Sequence, residues 1–486
     1  MWAWSAVGYR HLGTAGSVAA AAGGWAAGTL PARDPWGIWV PHGSAVTVAA
    51  AVLAHLGLTL LVVAWWRRRT LRTDVRESLL TLACWTAPLL LAPPLYSADV
   101  YSYIAQGAMV LEGHDVYAAG PAVLDPHGLG GAAAASVGGH WTDTPAPYGP
   151  VFLLLAQAVT WATGGTIVPA VLGMRLIGLA ALALTVWALR HLARARGASE
   201  SGALWLGALN PLLLAHVIGG AHNDGLMAGL LLAGLVLAER GRWTAGSALV
   251  GLAMMVKSPA AVALLFIGVI VARAATGPLP RRVAKGLLGP GLVAGTVAVA
   301  ATLLTGTGFG WLRTQGVAGT IHTALSVTSD LGLVLGELAH LLAGTDPAQV
   351  KGAAQGLGLA AALALIGYLA LRALRGRVDP AHALGLALVA LVALSPMVQP
   401  WYLLWGTAVV AATAPDGRAG QVLAVLSAAL VYETQPSGHT PAYGFALAGV
   451  AAVLGTWALR RETAGAAPVA APLPGPRRAR RETSPR

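Results

Sequence analysis

The sequence predicts an all-helical, polytopic transmembrane protein with about 14 crossings and a large first extracytoplasmic loop. Three observations carry that fold class. The 486 residues are 56% hydrophobic and only 10% charged, against about 25% charged in soluble domains. Mean hydropathy is +0.67. Nearly charge-free stretches such as 45–66 and 352–371 recur along the whole chain, each long enough for a bilayer core of about 30 Å. That distribution excludes a soluble enzyme held by one anchor. The net charge of +12 fits cytoplasmic loops rich in Lys and Arg. Basic residues are not interleaved with stacking aromatics, so membrane lipids and not nucleic acid are expected as partners. The single Cys84 excludes an internal disulfide and reads as a packing residue.

Charge orients the elements. All 31 lysines and arginines except Arg33, Arg175, Lys257, Arg313 and Lys351 fall where cytoplasmic segments are expected. The clusters are Arg67–Arg69 with Arg72 and Arg76; Arg190, Arg194 and Arg196; Arg240 and Arg242; Arg273, Arg281, Arg282 and Lys285; Arg372, Arg375 and Arg377; and the tail from Arg460. In order, the apolar segments are 10–30, 45–66, 78–95, 150–163, 167–190, 200–217, 224–238, 243–256, 258–273, 285–305, 352–371, 380–396, 401–413, 419–434 and 441–459. The first lacks the charged start and cleavage site of a removable leader and is read as retained. Both ends of the chain read as cytoplasmic, so an odd number of segments is one too many. Segment 150–163 is short, follows a Pro-rich turn, and would carry Arg190–Arg196 outside if it crossed. It is therefore expected to be interfacial or re-entrant. Segments 243–256 and 258–273 are split at Lys257-Ser258-Pro259, because proline breaks a helix. Larger outer regions are expected at 96–149 and 306–351, with short outer loops at 219–225, 395–401 and 434–443. Residues 1–462 read as one transmembrane domain and 463–486 as a disordered basic cytoplasmic tail.

The polar candidates collect at the outer edge. Asp99 follows an apolar run directly, with Tyr101, Tyr103 and Gln106 next to it. A carboxylate at that depth reaches a membrane-held substrate, tyrosines stack on sugar faces, and a glutamine binds a hydroxyl. The alternative is an interfacial tyrosine belt with Asp99 capping a helix over 100–112. Asp143 and Tyr148 are second candidates in the same loop, whereas Glu112 and Asp115 read as solvated. His222-Asn223-Asp224 sits between two crossings, where polar residues are costly unless they face a cavity. The three either line a site or cap the next helix, and two potential ligands are a weak metal signal. Lys257 suits a lipid phosphate or snorkels to the interface. Arg175 lies deep in an outer half-helix and serves either an anion or an ion pair with Asp99 or Asp224. Arg313 and His322 complete the possible anion-binding set. Gln399 and Trp401 either line a sugar site or belong to an aromatic belt.

The string Ser97-Ala-Asp99-Val-Tyr101-Ser-Tyr103-Ile-Ala-Gln106-Gly, with Tyr117, Pro147-Tyr148-Gly149-Pro150, Gly220-Ala-His222-Asn223-Asp224 and Gln399-Pro400-Trp401-Tyr402, resembles the polyprenol-phosphomannose-dependent α-1,6-mannosyltransferases of actinobacteria. The resemblance runs in order over roughly residues 5–462. It implies a GT-C-like fold and an essential acid at Asp99. It also implies transfer of mannose, with inversion, from polyprenyl-phosphate mannose to an α-1,6-mannan or lipoglycan acceptor, as in building a lipomannan or lipoarabinomannan backbone. In that reading Asp99 is the base, and Lys257, Arg175, Arg313 and His322 hold the donor phosphate. Tyr101, Tyr103, Gln106, Asp143, Tyr148, His222, Asn223, Asp224, Gln399 and Trp401 line the sugar and acceptor sites. No cofactor is expected and no metal is obligatory, with His222 and Asp224 the reservation. A related transferase using another polyprenyl-phosphate sugar, or a lipid-linked sugar flippase or transporter, is the alternative. The site is expected on the extracytoplasmic side of the plasma membrane.

Overall fold

A computed structural model describes residues 5–71 and 73–465. Arg72 and all but the first three residues of the predicted tail 463–486 lie outside the described residues. Those three end the last helix.

The described chain holds helices and no strand. In order they are α1 Ala6–Ala27, α2 Ser44–Arg68, α3 Val75–Leu91, α4 Asp99–Leu111, α5 Gly131–Val137, α6 Pro150–Thr163, α7 Ile167–Ala195 and α8 Glu200–Gly207. Next come α9 Pro211–Leu213, which runs on as a π-helix Leu214–Gly219, then α10 Asp224–Glu239, α11 Trp243–Met254, α12 Val262–Ala274, α13 Leu279–Thr305 and α14 Val317–Thr320. The last are α15 Val327–Ala343, α16 Pro347–Leu374, α17 Pro380–Ala393, α18 Leu403–Thr413, α19 Arg418–Leu430 and α20 Ala442–Gly465. Among the described residues, α2, α7, α13, α16 and Ala442–Glu462 of α20 are long and apolar enough to cross a membrane. The pair α8–α9, bent by 46°, makes a sixth if it counts as one span. Segment 200–217, expected as one helix, is broken here because Pro211 cannot donate into the turn before it.

Packing uses small residues and paired tryptophans. α1 and α2 touch backbone to backbone: a Cβ added to Gly57 would lie 2.4 Å from the Ala20 nitrogen. α2 is tied to α8 by Trp65 and Trp205, stacked with ring centres 4.8 Å apart. Each indole N–H donates to the other's carbonyl at 2.8 Å.

The two ends of the bundle differ chemically. One end holds the basic clusters, several of them paired with acids. Arg10 and Arg68 share Glu77, Arg190 and Arg194 share Glu200, Arg196 joins Glu239 to Asp379, and Arg69 meets Glu462. α10 carries Glu239 at this end and Asp224 at the other, the two ends of a 16-residue helix, about 22 Å apart.

Helix α6 begins and ends against segments that the charge pattern expects on one side. At its start the Gly149 N–H donates to the Val256 carbonyl, beside Lys257. At its end Gly165, with φ +67°, packs on the Leu129 carbonyl of the 112–149 segment. The 306–351 region, read from sequence as a loop, contains α15. That helix lies antiparallel on α16, Gly332 against Lys351 and Gly336 against Pro347.

This geometry predicts a labelling pattern. In a Cys84→Ala background in sealed vesicles, Thr166→Cys and His127→Cys react with an impermeant maleimide from the same side. Arg242→Cys reacts from the opposite side. Thr166→Cys labelled together with Arg242→Cys would show α6 crossing.

Candidate active site

Two turns deliver the central residues. Among the described residues, Tyr96 and Ala221 are the non-glycine positions with positive φ, +66° and +56°. A left-handed residue other than glycine costs roughly 1–3 kcal/mol and persists only where its surroundings enforce it. Tyr96 turns the chain three residues before Asp99, and Ala221 immediately before His222. The enforcement comes from Arg175. Its Nε donates to the Ile218 carbonyl at 3.2 Å, Nη1 to those of Leu90 at 2.9 Å and Ala92, and Nη2 to those of Pro93 at 3.1 Å and Gly219 at 2.8 Å. The Leu95 N–H adds a bond to the Gly219 carbonyl. The two segments that lead to Asp99 and His222 are thereby fastened to one side chain. Arg175 is 1% exposed with every N–H engaged, so it is neither a phosphate ligand nor the ion-pair partner of Asp99 or Asp224 expected from sequence.

Asp99 is the first residue of α4 and not its cap, a position held by Ala98. Its N–H donates to the Ser97 hydroxyl at 3.1 Å. Its Oδ2 lies 3.3 Å from Nδ1 of His222, close enough for an ion pair but without hydrogen-bond alignment. His222 stacks on Trp401 with ring centres 3.8 Å apart. Asn223 precedes α10 without a side-chain cap bond, so the capping alternative fails for it. The carboxylate of Asp224 takes Lys257 Nζ on both oxygens at 2.9 Å. Its Oδ1 also takes the Trp405 indole N–H at 2.7 Å. Lys257 lies 4.4 Å over the Tyr402 ring. The break at Lys257 is a 3₁₀ turn, Ser258–Ala261, which puts the ammonium beside α10 and α18.

Two cavities meet at Asp99. The larger, about 750 Å³, is walled mostly by turns between helices and includes Asp99, His42, Trp141, His322, Gln399, Trp401 and Glu433. The smaller, about 160 Å³, includes Asp99, Tyr148, Lys257, Gln315, Tyr402 and Trp405. Asp99, Trp141, Gln399 and Trp401 line both.

The other expected residues divide. Tyr148, Gln399 and Trp401 line the cavities. Tyr103 accepts the Asn223 N–H at 3.5 Å and packs edge-on against Tyr148, just behind the site. Tyr101 is buried with its hydroxyl on the Thr29 carbonyl at 2.6 Å, a structural bond and no sugar contact. Gln106 is buried. Asp143 is exposed and lines neither cavity. His322 lines the larger cavity and bonds Asp330 at 2.7 Å. Arg313 is exposed next to Thr314 and Gln315, which line the smaller cavity. Among the described residues no three His, Cys, Asp or Glu side chains converge as a metal group would. Sequence reasoning missed His216, His42 and Glu433. His216 was detectable as the one polar residue in the run Pro211–Gly219.

The apolar helices mark a membrane protein, and the family it matches marks a transferase. The chain is a glycosyltransferase that belongs to the alpha-(1->6)-mannopyranosyltransferase family. Residues 10–273 match the family model described as "Alpha-(1->6)-mannopyranosyltransferase, N-terminal domain". Residues 328–461 match the "MptB C-terminal domain". It is 36% identical to a probable alpha-(1->6)-mannopyranosyltransferase of Mycolicibacterium smegmatis, over 86% of this chain and 81% of that one. It is 35% identical to alpha-(1->6)-mannopyranosyltransferase B of Corynebacterium glutamicum, over 82% and 71%. It is 34% identical to alpha-(1->6)-mannopyranosyltransferase A of Mycobacterium tuberculosis, over 90% and 86%. No solved structure matches the chain.

The placement of Arg175 predicts a stability phenotype. Arg175→Met takes a donor from five buried carbonyls, of which Gly219 keeps the Leu95 N–H, and costs at least about 3 kcal/mol, read as a lowered melting temperature in detergent. Affinity for a lipid monophosphate, measured per folded molecule, is expected to stay within about threefold, because lost carbonyl partners weaken the fold and not an anion site.

Proposed function

We propose that this enzyme transfers mannose from polyprenyl-phosphate mannose to the 6-hydroxyl of an α-1,6-mannan acceptor with inversion, extending a lipomannan- or lipoarabinomannan-type backbone. The reading rests on one observation: Asp99 lines both cavities, with Lys257 across the smaller. The donor sugar occupies the smaller cavity with its phosphate toward Lys257, and the acceptor enters through the larger. Inversion needs the base and the leaving group on opposite faces of the anomeric carbon. Asp99 takes the acceptor proton as general base, and Lys257 neutralises the departing phosphate. Entry of the phosphate competes with Asp224 for Nζ, while the Trp405 indole continues to hold the Asp224 carboxylate. Arg313 and His322 are the remaining basic residues near the two mouths. A lipid monophosphate paired with Lys257 is a competent leaving group, so the step has no obligatory metal or cofactor. Tyr148, Gln399 and Trp401 supply sugar contacts.

The positive-inside pattern supports a site at the extracytoplasmic face of the plasma membrane, with about fourteen crossings and α6 lying in the interface. The polyprenyl chain of the donor remains in the bilayer.

The test is transfer from labelled polyprenyl-phosphate mannose to a short α-1,6-mannoside in membranes. Wild type forms the α product. Asp99→Asn lowers kcat by about 10²–10⁴-fold, and Lys257→Gln lowers kcat/KM for the donor by about 10²-fold with the acceptor KM held. Near-normal transfer by Asp99→Asn sinks the base assignment. Lipid translocation without sugar transfer by wild type favours a transporter.

A further inference from the structure

Behind Asp99 lies a group of buried polar atoms that the transfer step leaves unused. Both ring nitrogens of His216 and His222, both side-chain polar atoms of Asn223, and Nε1 of Trp401 are buried without a hydrogen-bond partner. Each such group costs about 1–3 kcal/mol, so their concentration at one place needs a reason beyond packing. His222 is the member that touches Asp99. Its side chain is 0% exposed. Its ring is held against Trp401 at 3.8 Å and 27° between planes, with His216 5.7 Å away. Its backbone is held too: the left-handed Ala221 precedes it, and its N–H donates to the His216 carbonyl at 3.2 Å. So fixed, the ring presents Nδ1 to Oδ2 of Asp99 at 3.3 Å. Catalytic hydrogen bonds are often long before substrate arrives and tighten when it binds.

We propose that His222 is a positioning residue for the base: Nδ1–H holds Oδ2 of Asp99 and leaves Oδ1 for the acceptor hydroxyl. The inference rests on Asp99 being the base. In the step, the acceptor oxygen bonds to the anomeric carbon. The bond from that carbon to the phosphate oxygen breaks, and its electron pair stays on the phosphate. The hydroxyl proton passes to Oδ1 of Asp99 and leaves through the larger cavity. His222 exchanges no proton.

The charges around the pair give this role its own signature. Asp99 faces His222, Lys257, Tyr103, Tyr148, Tyr402 and Ser97. His222 faces Asp99 and His216. Burial opposes ionisation of Asp99, but His222 at 3.3 Å, followed by the charge of Lys257, outweighs it and holds the carboxyl below its usual range. A lowered carboxyl stays ionised as pH falls and loses its base form only below that lowered value. Without His222 the burial is less opposed, so the base form is lost at higher pH.

The experiment compares pH profiles of kcat for wild type, His222→Phe and His222→Gln, each with a melting curve. Phe keeps the stack on Trp401 and removes the N–H, whereas Gln restores a donor. We expect His222→Phe to lower kcat by about 10–100-fold, with the donor KM within about twofold and the acid limb moved up by about 1–3 pH units. His222→Gln is expected to keep the wild-type limb. A rate loss in a normally melting His222→Phe with an unmoved limb overturns the role and assigns His222 to packing. If His222→Phe does not fold, a shifted limb in His222→Gln overturns it equally. Asp99→Asn separates the two readings: a dead Asp99→Asn beside an unmoved His222→Phe limb sinks only this inference, and an active one sinks the base.

Discussion

Five backbone carbonyls converge on one guanidinium, and the site depends on that convergence. Arg175 ties residues 90–93 to residues 218 and 219. From these anchors the chain runs a few residues in each direction, through the left-handed Tyr96 and Ala221, to Asp99 and His222. A cation this deep in a membrane protein is costly unless all its donors are used, and here they are. Its partners are carbonyls, so the residues that contribute them tolerate side-chain change as long as the backbone path holds. Arg175 itself has no substitute, since lysine offers three donors from one atom where the fork offers five from three.

Charge is partitioned along the same helices. At one end arginines outnumber the acids that neutralise them. At the other, one lysine faces two aspartates, and Trp405 takes up part of the excess negative charge on Asp224. Lys257, held over two aromatic rings, is aimed and kept from following Asp99.

Much of this was legible in the sequence, for identifiable reasons. Apolar runs bounded by arginines gave most helices within a few residues, and Pro150 and Pro259 marked the starts and breaks that proline dictates. Asp99 stood out as a carboxylate at the end of an apolar run, and His222-Asn223-Asp224 as three polar residues where polarity is expensive. Arg175 was recognisable as a buried charge, but its role was not, because carbonyl partners leave no mark in a sequence. Tyr101 and Asp143 were chosen by residue type, and only three-dimensional placement separates them from Tyr148 and Gln399. Helix α15 was hidden because Ser329, Asp330, Glu337 and His340 interrupt its apolar pattern. The junction of two cavities involves residues from three separate stretches of chain and could not be read from any one of them.

Two chambers with a common wall are not filled independently. Asp99, Trp141, Gln399 and Trp401 belong to both, so whatever settles these side chains when one substrate arrives also reshapes the space left for the other. Thermodynamic linkage makes such coupling reciprocal: the factor by which donor alters acceptor affinity equals the factor by which acceptor alters donor affinity. The two dissociation constants of this enzyme are therefore properties of a pair, each defined only with the occupancy of the other stated.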